Sequence, residues 1–94
     1  MGKPWTLEHV TRERWAITNR SGHTARAVTF AAKGALVIQG DHEWAVALEQ
    51  VKDGEGYPVT GRVAWGGDKP QIRVTWVSDH EAGHRRLTTL DWPT

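Results

Sequence analysis

The 94-residue chain has no cysteine, a single phenylalanine, a single tyrosine and a single methionine. Without cysteine, disulfide staples and thiolate chemistry are excluded, so the fold must be held by apolar burial and backbone hydrogen bonds. No segment approaches the roughly 20 consecutive apolar residues that a membrane-spanning helix needs. The opening MGKPWTLEHV also lacks an apolar run of signal-peptide length. The expectation is a soluble protein, cytoplasmic or virion-associated, with no membrane partner. An excess of one charge is missing too. Lys and Arg number 12 against 11 Asp and Glu, a formal charge of +1, so no nucleic-acid partner is expected. The length fits one domain with one modest core, spanning 1–94.

What is present is tryptophan, six in all, each bringing a large apolar ring and an N–H that needs a partner when buried. The surrounding pattern alternates with period two, as half-buried strands do. In QIRVTWV, residues 71–77, Ile72, Val74 and Trp76 point one way and Arg73 and Thr75 the other. In YPVTGRVAW, residues 57–65, Tyr57, Val59, Val63 and Trp65 share a face opposite Thr60 and Arg62. Further strands are expected over 5–10, 14–19, 25–31, 35–39 and 85–90, giving about seven. Glycine, asparagine and aspartate clusters separate them at 19–22, 33–34, 40–41, 53–56, 66–70 and 82–83. The segment 42–52 admits two readings. Trp44, Leu48 and Val51 share a helical face with Asp41 as cap and Gly54 as stop, while Trp44, Val46 and Leu48 alternate as in a strand. In either case the fold class is all-β.

The passage WAITNRSGHTARAV, residues 15–28, resembles the strand, Asn and Gly turn, and following Ala and Val strand of bacterial immunoglobulin-like and fibronectin-like domains. VKDGEGY, residues 51–57, is similar to their Gly-Glu turn before a mid-chain strand, and Val74-Thr75-Trp76 to a core strand. The tryptophan-rich pattern also resembles that of small actinobacterial and phage proteins. The resemblance implies a Greek-key immunoglobulin-like β-sandwich and carries no catalytic residues with it. The chain departs from antibody domains in lacking their cysteine pair.

The sharpest motif is DHEAGH, residues 79–84, in which His80, Glu81 and His84 spell the His-Glu-x-x-His of zinc proteases. That chemistry needs both histidines on one helical face and a third ligand. Here the motif lies between two expected strands, and Gly83 disfavours a helix. A hairpin is expected instead, with no metal, cofactor or catalytic residue. Ser78, Asp79 and His80 are consecutive and cannot converge as a triad. Gly66-Gly67-Asp68 lacks the strand-to-helix setting of a phosphate loop. Trp15, Trp65 and Trp76 alternate with other inward residues and are core candidates, whereas Trp5 and Trp92, near the termini, and Trp44, on the segment with two readings, are expected at the surface as candidate binding rings. Arg73, Arg85 and Arg86, with Arg62 nearby, are expected to form a basic strip on the last hairpin. The function expected is a non-catalytic interaction module that holds a protein partner or pairs as a homodimer. The alternative is an accessory domain binding a carbohydrate or small ligand through exposed tryptophans.

Overall fold

A computed structural model describes residues 3–79 and 83–93. It contains eight strands: β1 (Trp5–Thr11), β2 (Arg14–Asn19), β3 (Ala25–Lys33), β4 (Leu36–Ile38), β5 (Ala45–Val51), β6 (Gly56–Val63), β7 (Gln71–Ser78) and β8 (Arg85–Asp91). They form two four-stranded antiparallel sheets, ordered β1-β2-β6-β4 and β5-β3-β7-β8. This is an all-β sandwich, compatible with an immunoglobulin-like domain. The expected strands are all present. The eighth is β5, which takes the place of the helix considered over 42–52. Alternation decided it: Val46 and Leu48 pack toward the core, and Ala45 and Ala47 stay exposed.

The core lies between the sheets and is built around tryptophan. Trp5, on the first strand, is fully buried and meets Phe30 (ring centroids 5.5 Å apart, planes at 78°) and Trp76 (5.7 Å, 65°) edge to face. Phe30 continues to Tyr57 at 5.5 Å and Tyr57 to Trp44 at 6.4 Å, so five rings run in file from β7 across the core to the segment before β5. Tilted and edge-on contacts of this kind suit the ring quadrupole and add to area burial. A second group joins His9, Trp15 and Trp92, with Trp15 placed 4.7 Å from His9 and 5.5 Å from Trp92. The Trp92 ring lies over Gly61, where a Cβ would approach its Cη2 atom to 2.7 Å. A side chain at 61 would therefore displace the ring.

The surface expectation for Trp5, Trp44 and Trp92 is thus corrected, since all three are buried. Trp5 and Trp92 are near the chain ends in sequence but central in space. The Pro4 carbonyl accepts from the Arg20 N–H (2.7 Å), and the Trp92 N–H donates to the Pro70 carbonyl (3.0 Å), which fixes both ends of the chain onto the sandwich. Trp76 is buried as expected, and Trp15 is half-buried against the core.

Asn19 closes one end of the sandwich. Its side chain is fully buried, and both Nδ2 hydrogens are used, on the carbonyls of Val51 and His23 (2.9 Å each), while Oδ1 accepts from the Ser21 N–H at 2.9 Å. Its backbone accepts from Gly54 N–H and donates to the Glu55 carbonyl. One amide thus ties the end of β2 to the end of β5 and shapes the turn before β3. A strand-end role expected from the sequence is what the structure gives it.

Candidate functional site

The residue that sequence reasoning placed in the core and the structure places outside it is Trp65. Its relative exposure is 104%, the full extent of the side chain, while every other tryptophan is buried or half-buried. Alternation along 57–65 continues only as far as the strand does. β6 ends at Val63, itself 41% exposed, and Gly66 and Gly67 then take positive φ values of 70° and 90° that turn the chain. Trp65 falls on that turn rather than on the pleat, so its phase no longer points inward.

The loop from Ala64 to Pro70 is anchored at both stems. The Ala64 N–H donates to the Ala35 carbonyl and the Ala35 N–H to the Asp68 carbonyl, both at 2.8 Å. Gly34, at φ +67°, lets the β3–β4 turn press against the loop so closely that a Cβ there would lie 2.1 Å from the Lys69 carbonyl oxygen. Beyond it, Lys69 pairs with Asp91 at 3.1 Å and Pro70 receives the Trp92 N–H. The loop therefore presents an indole on a framed support. What Trp65 offers chemically is a flat apolar face and one N–H donor, a contact surface rather than an acid, base or nucleophile.

The arginines do not form the expected strip. Ile72, Val74 and Trp76 face inward, so Arg73 lies on the outward face of the second sheet, and Arg85, opposite Val77, shares that face. Arg85 leans across the sheet and donates through Nη1 to the Ala27 carbonyl (3.2 Å) and Thr75 Oγ1 (3.3 Å). Arg86 stands opposite Trp76 and so belongs to the other face of β8, and Arg62 is on β6 in the other sheet. The strip is split because a one-residue step along a strand reverses the face.

Charged pairs elsewhere are superficial. Arg20 binds Glu8 through Nε and Nη2 at 2.9 and 3.0 Å. These bonds, with the Thr6 hydroxyl, hold the Glu8 carboxyl below the ordinary range and raise Arg20 in turn. Hydrogen bonds from Gln71 and then Lys69 lower Asp91 similarly. An open, polar hollow of about 500 Å³ is bordered by Thr11, Arg12, Glu13, Arg14 and Thr60 beside the β1–β2 hairpin.

Of the zinc-like motif, His80 and Glu81 lie outside the described residues. His84 is exposed just before β8. Among the described residues no three histidine or acidic side chains gather as a metal-binding group, and no helix is long and apolar enough to cross a membrane. Comparison with protein-family models, with curated proteins and with solved structures finds no match.

Proposed function

We propose that the protein is a non-catalytic interaction module of immunoglobulin-like type, and that Trp65 is its principal contact residue. The observation that carries this reading is a fully exposed indole on a loop secured at both stems. Leaving a large aromatic ring in water forgoes burial worth about 1.5–3 kcal/mol, and rings of this kind are enriched among the residues that dominate protein interfaces. The strand order supports the fold type. With β5 set aside, β1-β2-β6-β4 opposite β3-β7-β8 follows the four-plus-three arrangement of a constant-type immunoglobulin domain. β5 is an addition to the open edge of β3, reached after the fourth strand instead of before it.

The same exposed face also favours the second reading, in which Trp65 stacks on a sugar ring. Two measurements separate the readings. A photo-reactive residue at position 65, introduced in the cells that make the protein, is expected to crosslink to one discrete protein, while the same probe at exposed Val10 on β1 does not. Glycan-array binding that disappears in Trp65→Ala would favour the sugar instead. Equal crosslinking from both positions, with a blank array, would remove Trp65 from its proposed role.

A further inference from the structure

The four edge strands differ in how well they are protected against pairing with another chain. β4 has three residues, and β1 shifts register between His9 and Thr11 and carries Glu8 at its centre. β5 carries a single charge, Glu49, and no basic residue that could meet it in a self-pairing. β8 runs seven residues without proline or glycine, pairs with β7 in one unbroken register from Arg85 to Asp91, and carries charges of both signs. Short or bulged edges and edge charges left without a partner resist strand addition, and a long regular edge whose own charges complement each other invites it.

The free side of β8 can be read from its ladder. The register that pairs Asp91 with Gln71 continues to Trp92 and Pro70, where the Trp92 N–H donates to the Pro70 carbonyl. Backbone groups alternate in direction along an antiparallel strand. Trp92, Leu90, Thr88 and Arg86 therefore turn theirs toward β7, and Arg85, Leu87, Thr89 and Asp91 turn theirs toward the open edge. The side chains of this second set lie on the outward face, opposite Val77, Thr75, Arg73 and Gln71.

We propose that β8 pairs antiparallel with β8 of a second copy, about a two-fold axis at Thr88, joining the two β5-β3-β7-β8 sheets into one. This register is self-complementary. Arg85 comes opposite the second copy's Asp91, Leu87 opposite its Thr89, and each such pair exchanges both backbone hydrogen bonds through groups already aimed at the open edge. The sequence RRLTTLD is basic at its start and acidic at its end, so antiparallel pairing joins unlike charges, and parallel pairing would place Arg85 and Arg86 beside their own copies. Sliding the register to centre on Leu87 leaves Asp91 with no arginine opposite. Leu87, 60% exposed in the single chain, meets its symmetry mate on the diagonal and covers it. In the single chain Arg85 reaches over β7 to Thr75 and Ala27, and Asp91 is held by Gln71 and Lys69, so the pair across the edge forms by exchanging these exposed contacts for the new one. The pairing is independent of the Trp65 reading, because that ring is on a different loop.

An interface of one strand belongs to the small, transient class, so association should be followed by sedimentation velocity from about 10 μM to about 1 mM protein. The parent chain is expected to shift toward dimer across that range. Arg85→Asp should weaken association about tenfold or more by setting like charges opposite each other, and the double swap Arg85→Asp/Asp91→Arg should restore most of it. Leu87→Lys, at a site exposed enough to leave the fold intact, should also weaken association, and it decides the matter if the charge variants do not fold. Trp65→Ser should sediment as the parent does. A parent that stays monomeric throughout overturns the proposal. So does an Arg85→Asp chain that associates undiminished, a swap that recovers nothing, or a Leu87→Lys chain that dimerises like the parent.

Discussion

Trp76 and Trp65 look equivalent in the sequence, each completing a run of alternating apolar residues, and they end at opposite extremes of the molecule. Trp76 is one of the rings around which both sheets pack, and Trp65 has its whole surface in water. The difference is what lies around each residue. Trp76 is followed by two more strand residues, and its neighbours Ile72 and Val74 are themselves buried, so the pleat holds its phase. Trp65 comes after the end of β6 and just before two glycines with left-handed backbone. Period-two patterning predicts burial only where hydrogen-bonded pairing continues on both sides of the residue.

Substitution separates the two tryptophans. Trp76→Ala removes a ring from a filled core and should cost about 3–5 kcal/mol, enough to exhaust much of the stability of a small domain. Urea denaturation followed by circular dichroism measures it, and a midpoint close to that of the parent would show that the core repacks around the loss. Asn19→Ala is expected to come next. It leaves the Val51 carbonyl without its side-chain donor at a buried site and removes the bonds to the Ser21 N–H and to the His23 carbonyl, which keeps the Ser21 hydroxyl, for an expected loss of about 1–3 kcal/mol in the same experiment. The smallest effect belongs to Trp65→Ser, which should leave the midpoint within about 0.5 kcal/mol of the parent, as substitutions at fully exposed positions do. Were Trp65→Ser to destabilise the chain as strongly as Trp76→Ala, the loop would have to pack its ring against the sandwich in solution.

Much of the architecture could be read from the residues. The alternation of β2, β3, β6 and β7 and the glycine-marked turns sufficed for an all-β sandwich, and Asn19 announced its turn. Segment 42–52 stayed open because Trp44, Leu48 and Val51 satisfy a helical spacing and Val46 and Leu48 a strand spacing. The strand alternation prevails because antiparallel pairing with β3, on the other side of β4 in the chain, holds its phase. The tryptophans are less legible. Position near a chain end suggested exposure for Trp5 and Trp92, yet both ends are bonded onto the sandwich, and Gly61 leaves room for the Trp92 ring, a fit visible only once β6 and the chain end are side by side. The arginine strip failed for a related reason. Residues adjacent in sequence on a strand, such as Arg85 and Arg86, serve opposite faces.

The order in which the strands change sheets has a kinetic consequence. Only β1 with β2 and β7 with β8 pair with their immediate neighbours in the chain, whereas β3, β4, β5 and β6 each alternate from one sheet to the other. The central pairing of the second sheet, β3 with β7, must bring Ala32 to Ile72 and Ala25 to Ser78 across everything between. Loop-closure entropy is lost before those contacts return any energy, and hairpin formation at the two ends of the chain does little to shorten the loops. The protein therefore belongs with high-contact-order β domains, which fold in about milliseconds to seconds rather than microseconds.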